Sequence, residues 1–242
     1  MIEFKNLVKR FGDRTVLNGI NFKVNEGEIL FILGISGTGK SVLLKNIVGL
    51  LRPDEGSIWI NGKEVSSLTE EQYFEVRKYC GMVFQQPALF DSLSVYENIA
   101  FGLRRHFEMS EKEMNERISQ SLKLVHLKNI EHKLPFEISY GMQKRVSLAR
   151  TIALRPKILL FDEPTTGLDP ITTNSISKLI LDLSRGLKTT SIVVSHDMKV
   201  AFEVADRILV LDKGQIVESG TPMQVKNSQQ PLVIDFLSEM NS

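Results

Sequence analysis

The segment from Gly34 to Ser41 constrains this chain more than any other part of its sequence. Its residues, Gly-Ile-Ser-Gly-Thr-Gly-Lys-Ser, match the pattern G-x-x-x-x-G-K-[ST] of a phosphate-binding loop. A buried-type apolar run precedes it at 29–33, and a helix is predicted after it over about 40–50. In that context backbone N–H groups and the positive end of the helix surround a phosphate. The pattern therefore predicts a nucleotide site, and its spacing does not fit the dinucleotide fingerprint G-x-G-x-x-G.

A second short segment ends in two adjacent carboxylates. The apolar run 158–161 is typical of a buried strand, and Asp162 and Glu163 follow it directly. In an open parallel sheet the carboxyl ends of the strands border the ligand crevice. We therefore expect Lys40 to reach the β- and γ-phosphates of a nucleotide and Ser41 to ligate Mg²⁺. Asp162 is expected to hold the same ion through water, and Glu163 to act as general base on the attacking water.

The rest of the chain alternates between strand and helix signals, which is typical of parallel βαβ units. Strands are predicted at 2–8, 17–24, 29–33, 57–60, 63–65, 157–161, 189–194, 207–211 and 215–218. From about 85 to 154 the pattern is mainly helical, and 231–240 is typical of a short amphipathic helix. We therefore predict a single α/β domain. Its parts are a phosphate-loop core with N-terminal antiparallel strands (1–84 and 157–220), an inserted helical subdomain (85–156) and a C-terminal tail (221–242).

The composition argues against several classes of protein. Lysine and arginine number 30 against 29 aspartate and glutamate, so no general positive field favours a nucleic acid partner. The single cysteine, Cys80, rules out an intramolecular disulfide. We find no run of about 18 apolar residues and no signal-peptide pattern at the N-terminus. Any role at a membrane is therefore expected to depend on a partner protein.

Five further motifs stand in a fixed order along the chain. They are Phe11 in Arg-Phe-Gly-Asp, Gln85 in Met-Val-Phe-Gln, the run 139–142 (Ser-Tyr-Gly-Met), the run 167–169 (Gly-Leu-Asp) and His196 in Ser-His-Asp. Each alone is a weak signal, since a single aromatic residue, glutamine or histidine is more often structural. Together they resemble the nucleotide-binding subunits of ABC transporters, over nearly the whole chain.

The resemblance implies a role for each motif. Phe11 stands where an aromatic residue, usually tyrosine, stacks on adenine, and Gln85 stands where a glutamine senses Mg²⁺ and the attacking water. His196 corresponds to the switch histidine, 139–142 to the family signature and 167–169 to the loop that crosses the dimer interface. Two copies of the chain would sandwich two ATP molecules. Each ATP would lie between the phosphate loop of one copy and the signature of the other.

The motifs and the resemblance together define a set of candidate residues. Those expected to act in catalysis are Glu163, His196, Gln85 and Lys40. Those expected to contact ATP in the same chain are Phe11, Val16, Gly34, Ser36, Gly37, Thr38, Gly39, Lys40, Ser41 and Val42. Those expected to contact ATP across the dimer are Ser139, Gly141 and Asp169. Those expected to hold Mg²⁺ are Ser41, Gln85 and Asp162.

The signature departs from the family's usual Leu-Ser-Gly-Gly-Gln. Here 138–142 is Ile-Ser-Tyr-Gly-Met. Tyr140 places a bulky ring and a restricted backbone where glycine normally stands, and Met142 lacks the usual amide. Catalysis is expected to persist, because the signature serine, its second glycine, the general base and the switch histidine are all present. The effect on ATPase rate and ATP affinity is left open.

A narrower resemblance concerns the cargo. Met142, the run 168–172 (Leu-Asp-Pro-Ile-Thr) and the tail residues 235–237 (Asp-Phe-Leu) are similar to those of the Mla-type, MCE-linked phospholipid-trafficking ATPases. That similarity implies a phospholipid cargo, a polytopic permease, a periplasmic MCE-domain protein and a peripheral place on the cytoplasmic face of the inner membrane. Apolar and aromatic side chains around 87–107 are expected to form the groove for a permease helix.

Other interpretations stay open at this point. The same kind of ATPase subunit could drive the transport of another cargo, such as an amino acid, a metal or a drug. A non-transport ABC ATPase of DNA repair or of ribosomes usually has a long coiled-coil insert or two cassettes, and this sequence has neither. A small phosphate-loop kinase or GTPase would leave the signature unexplained. A sensor that binds ATP without hydrolysing it would leave Glu163 unexplained.

Overall fold

The computed structural model describes residues 1–240; residues 241 and 242, the end of the predicted tail 221–242, lie outside the described residues. The strands are β1 (Ile2–Phe11), β2 (Arg14–Val24), β3 (Ile29–Leu33), β4 (Glu55–Ile60), β5 (Lys63–Glu64), β6 (Cys80–Val83), β7 (Ile158–Asp162), β8 (Thr190–Ser195), β9 (Arg207–Asp212) and β10 (Gln215–Gly220). The helices are α1 (Lys40–Ile47), α2 (Glu70–Tyr79), α3 (Val95–His106), α4 (Glu111–Leu124), α5 (Tyr140–Ala153), α6 (Pro170–Gly186), α7 (Met198–Val204), α8 (Pro222–Lys226) and α9 (Pro231–Met240), with a 3₁₀ turn at Pro135–Glu137.

The larger sheet has the strand order β10-β9-β3-β8-β7-β6. Its pairs are parallel except that β10 runs antiparallel to β9. Every residue of β3 and β7 is buried, which explains their continuous apolar runs, because a parallel sheet is covered on both faces. The carboxyl ends of β3, β7 and β8 lie at one edge of this sheet. The phosphate loop, the acidic pair and the histidine motif therefore leave the sheet side by side.

The smaller sheet is antiparallel, with the order β2-β1-β4-β5. Its apolar face, including Phe4, Leu7 and Leu17, packs in one buried cluster with Leu30 of β3 and Leu43 of α1. The predicted α/β fold with N-terminal antiparallel strands is confirmed. β1 is longer than the predicted 2–8, and its hairpin with β2 pairs Phe11 with Arg14. That extension places the predicted adenine-stacking residue at the tip of a hairpin.

The insert between β6 and β7 contains α3, α4 and α5. Their buried side chains, among them Ile99, Leu122 and Val146, pack in one cluster with Phe161 of β7. The predicted helical pattern over about 85–154 is wrong in two places, because 85–94 and 125–139 contain no α-helix. No helix within residues 1–240 is long and apolar enough to cross a membrane.

Two other local predictions differ from the structure. The helix predicted over about 40–50 ends at Ile47. Gly49 adopts φ +68°, and the Leu50 N–H donates to the Lys45 carbonyl at 2.9 Å, so a left-handed residue turns the chain out of the helix. The strand β6 was not predicted. It has four residues, follows α2 without a turn and pairs with β7 at the edge of the sheet.

Candidate nucleotide site

The phosphate loop lies between the buried strand β3 and helix α1. Gly39, the residue before the helix, has φ +103°. A Cβ atom there would lie 2.8 Å from Leu17 Cδ2 and 3.0 Å from the Val16 carbonyl oxygen. The first turn of α1 contains no acidic residue, so the positive end of the helix is left for an anion. The loop therefore needs glycine for both its conformation and its close packing against β2.

Lys40 connects the phosphate loop to the acidic end of β7. Its ammonium is buried and donates to the carbonyl oxygens of Gly34 at 2.7 Å and Ile35 at 3.0 Å. It also lies 3.3 Å from Glu163 Oε1. A cation held in this way lies within the predicted phosphate loop and beside the predicted general base.

Ser41 and Asp162, two of the three residues predicted to hold Mg²⁺, contact each other, and the third, Gln85, lines the same cavity as Ser41. The Ser41 hydroxyl donates to Asp162 Oδ1 at 2.5 Å across 121 residues of sequence. Burial raises the pKa of the Asp162 carboxyl, and the hydrogen bond from Ser41 opposes that shift. A hydroxyl and a carboxylate are the hard oxygen ligands that Mg²⁺ prefers. Since residues 1–240 offer no cluster of three His, Cys, Asp or Glu ligands, nucleotide phosphates and water would have to complete the coordination of the ion.

Glu163 and His196 meet at the ends of β7 and β8. The Glu163 N–H donates to the Val194 carbonyl at 2.9 Å, and the residue has φ +48°, a strained value for a side chain of this size. Its Oε2 atom accepts from the Thr166 hydroxyl at 3.0 Å and lies 2.8 Å from His196 Nδ1. The carboxylate is thus held by three neighbours, with Lys40 on its other oxygen. A base positioned in this way can orient and deprotonate a water.

A cavity of about 490 Å³ collects most of the predicted residues. It is lined by Phe11, Arg14, Val16, Ser36, Gly37, Gly39, Lys40, Ser41, Val42, Gln85, Glu163, Thr166 and His196. Gly34 and Thr38 are buried parts of the loop that do not line it; Thr38 donates its hydroxyl to the Ile35 carbonyl. Asp162 does not line it either, but accepts the hydrogen bond from Ser41, which does. Sequence reasoning missed Arg14 and Thr166, although a cation beside the Phe11 hairpin and a hydroxyl three residues after Glu163 were available signals.

Phe11 lies in the wall of the cavity, and 47% of its surface is exposed. The Lys9 ammonium lies over the ring, 5.3 Å from its centroid, and is held there by Asp54 at 3.2 Å. The exposed part of the ring is available for a planar base.

Replacing Phe11 with alanine is expected to weaken ATP binding by roughly 5- to 150-fold, because stacking of a base on an aromatic ring is worth about 1–3 kcal/mol. Titration of the purified chain with a fluorescent ATP analogue measures the effect. Phe11→Tyr, which keeps the ring, should bind as the native chain does. Equal affinities for all three proteins would show that the base lies elsewhere.

The residues predicted to act across a dimer do not line this cavity. Ser139 is exposed and caps α5, where its hydroxyl accepts from the Met142 N–H at 3.3 Å. Asp169 caps α6 by accepting from the Ile171 and Thr172 N–H groups at 3.0 Å each. The hydrogen bond from the Thr172 hydroxyl is the main reason that the pKa of Asp169 lies below its usual range. Within one chain, the signature and the 167–169 loop thus lie outside the nucleotide cavity.

This fold and this site define an ATPase of the phosphate-loop class. Residues 17–166 match the family model described as ABC transporter. The chain belongs to the ABC transporter family, as an ATP-binding subunit that hydrolyses ATP.

Two relatives and one solved structure are similar to nearly the whole chain. The intermembrane phospholipid transport system ATP-binding protein MlaF of Haemophilus influenzae is 40% identical over 98% of this chain and 90% of its own length. The probable ribonucleotide transport ATP-binding protein mkl of Mycobacterium leprae is 40% identical over 98% of this chain and 68% of its own length. The dimeric, post-hydrolysis structure of the ATP-binding cassette MJ0796 with ADP and Pi is 33% identical, with a TM-score of 0.84 over 92% of this chain and 99% of that one.

Proposed function

We propose that this chain powers the movement of phospholipids between membranes, as a homodimer bound to a membrane-embedded permease on the cytoplasmic face of the inner membrane. The observation that carries the proposal is the joint position of Lys40, Glu163 and His196 in one cavity, in a chain 40% identical to MlaF over 98% of its length. A periplasmic MCE-domain protein is the proposed third component. The identity to mkl, named for ribonucleotide transport, makes another cargo the second candidate.

The geometry supports a direct mechanism for hydrolysis. ATP would place its base against Phe11 and its phosphates in the loop that begins at Gly34, with Lys40 neutralising the β- and γ-phosphates. When bound at Ser41, Asp162 and Gln85, Mg²⁺ would supply charge neutralisation at the phosphates. Glu163 would take a proton from the attacking water. His196, hydrogen-bonded to Glu163, would hold the carboxylate in place.

The position of the signature supports a dimeric active site. Ser139 and Gly141 stand at the exposed start of α5 and do not line the cavity of their own chain. The positive end of this helix favours an anion, and the γ-phosphate of ATP in a second copy meets that requirement. The similar cassette MJ0796 is a dimer in its ADP-bound structure. In this arrangement ATP joins the two copies, and its hydrolysis releases them.

Only some of the side chains in the segment 87–107 are available for docking to a permease. Val95 and Leu103 are fully buried in the insert's own core, so they are not available to a partner. Phe90 and Phe101 are 45% and 52% exposed, and their rings lie 5.0 Å apart. Asn98 fixes Phe90 by exchanging two hydrogen bonds with its backbone. A rigid pair of exposed aromatic rings is suited to anchor a partner helix.

Replacing Phe90 with alanine is expected to uncouple hydrolysis from transport, because it removes half of that aromatic pair. ATPase activity of the isolated chain should be retained, while ATP-driven transport by the reconstituted complex should fall. Met223→Ala, at an exposed apolar residue on α8, is the matched control and should leave both activities unchanged. Unchanged transport in the Phe90→Ala complex would refute the docking role.

The proposed cargo and partners are tested by affinity purification of the chain from detergent-solubilised membranes, with mass spectrometry of bound proteins and lipids. Recovery of a polytopic permease, an MCE-domain protein and phospholipid supports the proposal. Recovery of a permease with a different binding protein would refute the phospholipid cargo and leave the ATPase role unchanged. Recovery of the chain without any membrane protein would refute the transport assignment.

A further inference from the structure

Tyr140, which stands where the family signature normally has glycine, makes a specific contact within its own chain. Its hydroxyl donates to Gln86 Oε1 at 3.0 Å. A Cβ atom added to Gly167 would lie 3.8 Å from the edge of the Tyr140 ring. The Tyr140 side chain therefore bonds to the segment that contains Gln85 and lies near Gly167, in the segment that joins Glu163 to Asp169. The usual glycine could not make this hydrogen bond.

Lys144 reinforces the same connection one helical turn later. Lys144 is only 4% exposed, and its ammonium donates to the carbonyl oxygens of Gln85 at 2.6 Å and Pro164 at 3.2 Å. It also lies 5.5 Å from the centroid of the Tyr140 ring. Burial lowers the pKa of Lys144, and the charge of Glu163 opposes that shift. A buried cation needs such partners, so the two carbonyls and the ring define its position.

Arg150 completes the attachment of α5 to the segment 85–88. Its guanidinium donates to the Ala88 carbonyl at 2.8 Å and to the Pro87 carbonyl at 3.1 Å. Tyr140, Lys144 and Arg150 thus hold consecutive residues of this segment from a single helix. These hydrogen bonds connect α5 to Gln85 and, through Lys144, to Pro164, the residue after Glu163.

We propose that Tyr140 is a positioning residue that couples the signature of each subunit to Gln85 and Glu163 of that same subunit. This inference rests on the proposed dimer, in which the signature touches ATP held by the second copy. ATP bound to one copy would then position the hydrolytic residues of the other copy. The two sites would then respond to ATP cooperatively. The Tyr140–Gln86 hydrogen bond would contribute to this coupling, and glycine at position 140 could not form it.

The test compares Tyr140→Phe, Gln86→Leu and the double variant in the purified full chain. Each single variant should lower the maximal ATPase rate by about two- to tenfold, the range expected for one lost hydrogen bond. The Hill coefficient for ATP should fall from near 2 toward about 1, the limits for two coupled and two independent sites. The double variant should be no slower than either single variant, because both remove the same bond. Affinity for a non-hydrolysable ATP analogue in the monomer should not change.

Tyr79→Phe is the matched control, since it removes another tyrosine–amide hydrogen bond, the one from Asn61 Nδ2 at 2.7 Å. It should leave the rate and the Hill coefficient as in the native chain. The same variants combined with Glu163→Gln give a measurement without hydrolysis. In these proteins the dependence of dimerisation on ATP concentration should become less steep. The coupling would be overturned if the variants depended on ATP concentration as steeply as the native chain in both assays. It would also be overturned if the rate losses of the two single variants multiplied in the double variant. A native chain that neither hydrolyses ATP nor dimerises with it would instead refute the proposed function.

Discussion

Replacing Glu163 with glutamine is expected to slow ATP hydrolysis by about 10²–10⁴-fold, the usual contribution of a general base. Glutamine has the same shape and can still accept the hydrogen bond that Thr166 donates to Glu163, at 3.0 Å in the native chain. It cannot take a proton from water. ATP binding should persist, since neither the loop nor Lys40 is altered. The variant should therefore accumulate as an ATP-bound dimer, measured by phosphate release and by light scattering after gel filtration.

Glu203→Gln provides the control for this substitution. Glu203 is exposed on α7, so the loss of its charge should change neither turnover nor dimerisation. Undiminished hydrolysis by the Glu163→Gln chain would show that another group is the base. A dimer that forms equally well without ATP would show that the nucleotide is not what joins the two copies.

Replacing Lys40 with alanine is expected to lower kcat/KM for ATP by about 100-fold or more, because it removes a buried cation that lies 3.3 Å from Glu163 Oε1. The phosphates of ATP would then face Asp162 and Glu163 without a compensating charge. Binding itself should weaken, which distinguishes this variant from Glu163→Gln. Calorimetric titration with ATP and a steady-state ATPase assay measure the two effects.

Two further variants define the requirement at Lys40. Lys40→Arg should not restore activity, since the planar guanidinium cannot replace a compact ammonium held by two loop carbonyls. Lys178→Ala, at an exposed lysine of α6, removes a charge remote from the loop and should be neutral. Native ATP affinity in the Lys40→Ala chain would contradict the assignment of the loop.

Local features of the site could be predicted from the sequence because each depends on neighbours in the chain. The phosphate loop is recognised from the consecutive residues Gly34 to Ser41. Gly39 adopts a positive φ, which glycine reaches without strain. The run before Asp162 is apolar throughout, as a strand buried on both faces must be. Conversely, β6 could not be recognised, because four residues at a sheet edge contain too little periodicity.

The family resemblance supplied roles, and the tertiary structure supplied their contacts. Glu163 and His196 are 33 residues apart, and they meet because β7 and β8 are adjacent with Asp162 opposite Val194. The local sequence does not show that Arg14 lines the cavity. It also does not show that the Tyr140 hydroxyl bonds to Gln86.

The amino-acid sequence thus determined the phosphate loop, the acidic pair and the family by itself, since each is a pattern of residue types along the chain. Only the tertiary structure decided which side chains meet: Ser41 with Asp162, Lys40 with Glu163, and Tyr140 with Gln86. The physical reason is that these distances are set by strand order, register and helix packing. Those depend on the burial of the whole core, including Phe31 and Phe161, and on no single segment of the chain.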